Sequence, residues 1–227
     1  MTTMSFSDLW KAFRLLSDPD TLPPELRPLL HDFLAAEYQK RQAKRIQHLM
    51  NQSGIKRIKL LSDFDWSFNP KIPRDKLLDY LNTRFLKSPS NLVLIGPAGV
   101  GKSHLATAFC HHALSKGVQT LFISLFDLAA RIDRSQHPSS LIDHYARVPV
   151  LCLDEIGYAL PTREQADAIF QIVSKRSEIA TTLVTTNLVP SLWGKIFDST
   201  TASAILDRLS MNGKFIPLEG RSYRSKQ

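Results

Sequence analysis

The sequence predicts an α/β fold built around a mostly parallel sheet, and two observations carry that prediction. Five short apolar runs, at 92–96, 120–124, 150–154, 182–187 and 214–219, alternate with stretches of helical periodicity. This is the pattern of strands buried on both faces and joined by crossover helices. A glycine-rich segment, GPAGVGKS from Gly96 to Ser103, stands between the first run and a helical pattern. A chain of 227 residues is long enough for one such core and a small additional module.

Taken in order, residues 5–50 read as helices broken at Asp18-Pro19 and Pro23-Pro24. Leu29, Leu30, Phe33, Leu34 and Tyr38 fall at helical spacing and make one face apolar. Residues 51–59, with Gly54 and dense charge, read as a linker, so a basic helical module over 1–59 and an α/β domain over 60–227 are expected. Within the second part, helices are expected over 102–115, 125–134, 141–147, 163–179 and 202–209.

Apolar residues make up 43% and charged residues 22%, which excludes a wholly disordered chain. No run reaches membrane-spanning length and the start has no apolar signal core, so no membrane partner is expected. The two cysteines, Cys110 and Cys152, lie in apolar stretches and suit buried thiols of a reducing, cytoplasmic compartment. The net charge is +8, which favours polyanions. Lys40, Arg41, Lys44, Arg45, Lys56, Arg57 and Lys59 occur with no acid among them and are candidates for contact with DNA phosphates. A solvated basic face is the competing reading. Arg221, Arg224 and Lys226 form a second basic cluster.

GPAGVGKS has the flanks that a phosphate-binding Walker A loop requires, a strand before it and a helix after it. Gly96, Gly99 and Gly101 allow a tight turn, with Pro97, Ala98 and Val100 between them, and their N–H groups would converge on a triphosphate at the positive end of a helix. Lys102 would reach the β- and γ-phosphates of ATP, and Ser103 would ligate Mg2+. The blander reading is a glycine turn.

Binding differs from hydrolysis by a further set of polar groups. Asp154 and Glu155 follow an apolar run, at the carboxyl end of a strand where open α/β sheets place their ligands. Asp154 suits organisation of Mg2+ and Glu155 suits the base that polarises water. An acidic pair there could equally cap a helix. Asn187 ends the fourth run and could orient water, or simply form a turn. Arg208 is a candidate for the cation that a neighbouring subunit supplies to the transferred phosphoryl group, with Arg221 and Arg224 as competitors.

GPAGVGKSHLA, LDEIGY, IFQIVSKR, TTN, AILDRL and GRSYR, in this order over residues 60–227, resemble the AAA+ ATPases of the DnaC and IstB type, and the IstB family most closely. The resemblance implies a three-layer P-loop NTPase fold of AAA+ type, with a five-stranded parallel sheet of order 5-1-4-3-2. It implies ATP hydrolysis, assembly into homo-oligomers on duplex DNA, and action on a partner transposase. It places Asn187 as first sensor, Arg208 as trans-acting finger and His104 beside the nucleotide, with residues 64–69 flanking the adenine. It also implies that an inserted helix within 126–147 faces DNA. Ala98, Val100 and Ser103 stand where relatives often carry Pro, Thr and Thr. A replicative helicase loader of the DnaC kind is the alternative. A small-molecule kinase is disfavoured for want of an arginine-rich acceptor lid, and an ATP-gated scaffold would show no turnover.

Overall fold

A computed structural model describes residues 4–226. The chain divides into two units, Met1–His48 and Leu49–Gln227. Helix α1, Phe6–Ala12, is started by Ser5, whose hydroxyl accepts from the Asp8 N–H. Helix α2, Leu26–Gln52, follows the proline breaks. In the first unit Leu9, Trp10 and Leu34 are buried together, with Phe13, Leu22 and Tyr38 packed against them. Leu29 and Phe33, expected on the apolar face of the helix, are 70% and 67% exposed. The boundary expected at residue 60 falls earlier because residues 49–59 are tied to the sheet unit. The Ser53 carbonyl accepts from the Phe122 N–H at 2.7 Å, and Ile55 packs on that unit's core.

The second unit begins with α3, Arg74–Thr83, and then alternates strand and helix: β1 Asn91–Ile95, α4 Lys102–Ser115, β2 Thr120–Ser124, α5 Leu125–Arg134, α6 Pro138–Arg147, β3 Val150–Ile156, α7 Arg163–Arg176, β4 Thr181–Thr186, α8 Ser199–Ser210 and β5 Gly213–Pro217. All five apolar runs are strands. Their pairings are parallel and their order is β2-β3-β4-β1-β5, which from the opposite edge reads 5-1-4-3-2.

Successive side chains of a strand point to opposite faces. Leu92, Leu94, Val150, Cys152 and Leu183 therefore pack against Leu77 and Tyr80 of α3 and Leu105 and Phe109 of α4. Val93, Leu151, Leu153 and Val184 pack on the other face, against α5 to α8. The result is three layers, with both faces of the sheet covered. Helix α7 ends at Arg176 instead of the expected 179, because Glu178 takes a left-handed φ of 68° that no continuing helix tolerates. Helix α6 starts three residues early, on Pro138, whose missing N–H is no loss in a first turn.

Among the described residues no helix is long and apolar enough to cross a membrane. The parallel order brings the carboxyl ends of β1, β3 and β4 side by side in the middle of the sheet, and the functional site is built there.

Candidate functional site

The chain leaves β1 at Ile95 and enters α4 at Lys102 through six residues. Gly99 and Gly101 both have left-handed φ, 77° and 109°, and both are closely covered. A β-carbon on Gly99 would lie 2.0 Å from the Ser222 hydroxyl, and one on Gly101 would lie 2.6 Å from the Phe64 ring. Only glycine meets both demands at these positions. Lys102 is 7% exposed and donates to the carbonyls of Gly96 and Pro97 at 2.7 and 2.8 Å. Burial pushes its pKa down, and the charges of Asp154 and Glu155 act the other way.

Above the loop lies a cleft of about 610 Å³, lined by Ala98, Gly99, Gly101, Lys102, Ser103 and His104. Glu155 and Tyr158 of the β3 end, Phe64 and Asp65, and Tyr223 and Arg224 complete its walls, together with Arg57, Ile58, Lys59 and Asp63. Val100 does not line it; its side chain is turned into the core beneath the loop. His104 meets the Leu60 carbonyl at 2.9 Å and the edge of Phe64 at 5.3 Å, so its ring belongs to the wall.

Ser103 donates to Asp154 Oδ1 at 2.9 Å, which joins the start of α4 to the end of β3. A hydroxyl and a carboxylate oxygen held together are hard oxygen donors of the sort Mg2+ takes alongside phosphate and water, so this pair fits that ion. Glu155 is exposed and has a left-handed φ of 62°. Its N–H donates to the Thr185 hydroxyl at 2.9 Å, and that hydroxyl in turn donates to Asp154 Oδ1. Asn187, one residue beyond β4, has a buried side-chain oxygen with no hydrogen-bond partner among the described residues. Gly157 leaves room for it, since a β-carbon there would sit 2.2 Å from that oxygen.

Arg208 is not brought to this cleft: it lies on α8 and pairs with Asp207 at 2.5 Å. Lys40, Arg41, Lys44, Arg45 and Lys56 are exposed, and Arg41 is paired with Glu37 and set over the Phe13 ring. Arg57 and Lys59, expected with them as DNA contacts, line the cleft. They do so because residues 49–59 are held on the sheet unit and carry the chain past the loop.

Sequence reasoning did not single out Thr185 or Tyr223. The Tyr223 N–H donates to the Gly99 carbonyl at 2.9 Å and its hydroxyl to Asp65 at 2.8 Å. Thr185 looks in sequence like any threonine of a buried strand, since nothing local shows what its hydroxyl touches.

A family model described as "IstB-like ATP binding protein" matches residues 20–227. A protein of insertion sequence IS232 from Bacillus thuringiensis subsp. berliner, named for ATP binding, is 34% identical over 194 residues, which is 84% of this chain and 78% of that protein. The corresponding protein of insertion sequence IS21 from Pseudomonas aeruginosa is 33% identical over 198 residues, 86% of this chain and 75% of its own length. Among solved structures the chain is similar to DnaI, with a TM-score of 0.61 and 24% identity over 72% of this chain and 89% of that one. The fold is that of the P-loop AAA+ proteins.

Proposed function

Since the chain belongs to the IstB-like ATP binding protein family, we propose that it is an ATP-hydrolysing regulator of transposition that assembles on duplex DNA with ATP and acts on a partner transposase. One observation supports the hydrolytic part above the others. Ser103 of the phosphate loop and Asp154 of β3 are hydrogen-bonded at 2.9 Å beside a cleft that Glu155 also lines. A loop that only binds nucleotide has no need of a second acid next to its metal-organising one.

In this reading the N–H groups of residues 96–103 and the Lys102 ammonium hold the triphosphate of ATP. Ser103 and Asp154 hold Mg2+, which when bound offsets charge on the phosphates. Glu155 takes the proton of the attacking water, and Asn187 orients that water. Phe64, His104, Arg57 and Lys59 flank the nucleoside end. Arg208, remote from the cleft of its own chain, serves the site of a neighbouring copy, so that hydrolysis requires a homo-oligomer. Lys40, Arg41, Lys44, Arg45 and Lys56 contact DNA phosphates. The helicase-loader alternative draws on the likeness to the DnaC helicase loader, and at 20% identity that speaks for fold alone.

Sedimentation with ATP, ADP or no nucleotide, each with and without duplex DNA, tests the proposal. The largest species is expected only with ATP and DNA together. If that combination sediments like the free chain, the shared-site reading fails.

A further inference from the structure

Strands β3 and β4 run parallel, with Leu153 opposite Val184 and Ile156 opposite Thr186. Between these pairs β3 has two residues, Asp154 and Glu155, where β4 has one, Thr185. The register shift is a bulge in the strand that carries both acids. A bulge breaks the regular ladder and leaves a main-chain group that needs a partner from elsewhere. Here the partner is a side chain. The Thr185 hydroxyl accepts from the Glu155 N–H at 2.9 Å and donates to Asp154 Oδ1, the same oxygen that accepts from Ser103. Thr185 is fully buried, so no water competes for these bonds.

Both consequences bear on the site. The bond to the Glu155 N–H holds that residue at its left-handed φ of 62°, a conformation that a non-glycine residue keeps only when its surroundings impose it. That turn is what carries Glu155 out of the buried strand to the cleft wall, while its neighbour Asp154 stays buried. The bond to Asp154 fixes the rotation of its carboxylate and so the oxygen it presents to Ser103. We infer that Thr185 is a positioning residue, whose single hydroxyl sets the two acids of the site at once. Donating and accepting together is within reach of a hydroxyl and beyond an isosteric valine. The inference deepens the ATPase reading and rests on it.

The test compares Thr185→Val and Thr185→Ser in the full chain. Valine keeps the shape and suits a strand, so the fold is retained. For Thr185→Val, kcat is expected to fall roughly 10- to 100-fold, well beyond any rise in KM for ATP, and Thr185→Ser to stay within about threefold of the parent. In a Glu155→Gln background, Thr185→Val should cost less than it does alone, because part of its effect runs through Glu155. A second readout needs no turnover: the gain in affinity for a fluorescent ATP analogue on adding Mg2+ should shrink in Thr185→Val and persist in Thr185→Ser.

Parent-like kcat and Mg2+ gain in Thr185→Val would overturn the inference. So would a loss of kcat matched by an equal rise in KM, or an additive loss in the Glu155→Gln background. If the parent itself releases no phosphate, the ATPase reading fails separately. The Mg2+ gain then decides on Thr185 alone, with equal gains in parent and valine variant counting against it. Should Thr185→Val fail to fold by circular dichroism, Thr185→Ala against Thr185→Ser decides, and equal behaviour of the two overturns the inference.

Discussion

Lys102 and Glu155 stand at the same cleft and contribute differently. The Lys102 ammonium is buried, donates to two loop carbonyls at 2.7 and 2.8 Å, and lines the cleft that would receive the phosphates. Lys102→Ala is expected to weaken ATP binding by about 100-fold or more, the loss of charge-assisted hydrogen bonds to phosphate. Glu155 is exposed at the rim, on the β3 side of the cleft. Glu155→Gln should therefore keep ATP affinity within about threefold while phosphate release falls about 100-fold or more, the loss expected for a general base. Equilibrium titration with labelled ATP and a single-turnover assay separate the two effects. Both residues could be read from their motifs. Thr185 could not, because a buried strand threonine differs from a core residue only in what its hydroxyl touches, and that neighbour is 31 positions away in the chain.

At the scale of elements, one tether holds the site in place and another ties α6 to β4. One is the segment after β5, which passes over the phosphate loop. Leu218 donates to the Ile95 carbonyl at 2.6 Å, Asn69 exchanges two bonds with the Arg221 backbone, and Tyr223 spans Gly99 and Asp65. Hydrogen bonds from Ser67 first, and from Tyr223 second, hold the Asp65 carboxyl down at about 2 from its ordinary 3.8. A depressed folded-state pKa means that the stabilisation is complete above pH 3.8 and is lost as pH falls through about 2. Tyr223→Phe should raise the Asp65 pKa, as read from its carboxylate carbon shift in an NMR titration, and an unchanged titration would refute the tether.

The other tether is Arg176 at the end of α7. It is 1% exposed and donates to the carbonyls of Tyr145, Ala146, Val148 and Thr181 and to the Thr182 hydroxyl. Burial pushes its guanidinium down to about 9, which still leaves it charged at neutral pH. It closes the last turn of α6 and joins it to β4. Arg176→Met would leave several buried carbonyls without a donor, at a cost of about 3–5 kcal/mol, measurable by urea unfolding. IFQIVSKR matters for this arginine as a structural group, since its bonds go to α6 and β4 and it is not among the residues that line the cleft.

Over the whole molecule, part of the +8 charge lies on α2 and part at the cleft. Lys40, Lys44 and Arg45 are exposed on α2, whereas Arg57 and Lys59 line the cleft above the phosphate loop. If the first group meets DNA phosphates, changing all three to alanine should lower the slope of log affinity against log salt by roughly 2–3, about 0.9 for each phosphate no longer neutralised. Arg57→Ala with Lys59→Ala should leave that slope unchanged and weaken ATP binding. Fluorescence anisotropy on one DNA duplex across a salt series measures the first, and nucleotide titration the second. Equal salt slopes for both variants would remove the division of roles.

The local grammar of the chain determined the fold class, the five strands and the phosphate loop. These depend on periods of two and 3.6 residues and on glycines at set spacings, all properties of neighbours in sequence. The same local reading put Asp154, Glu155 and Asn187 at strand ends, and in a parallel sheet the ends of β3 and β4 lie side by side. It set the boundary near residue 60 where the units divide after His48, it did not put Arg57 and Lys59 at the cleft, and it did not single out Thr185 or Tyr223. Each of those depends on which distant backbone passes within hydrogen-bond reach: Phe122 beside Ser53, Asp154 beside Thr185, Gly99 beside Tyr223. Only the tertiary structure decides such pairings, since a hydrogen bond is set by distance and direction in space, and neither is written in the order of residues along a chain.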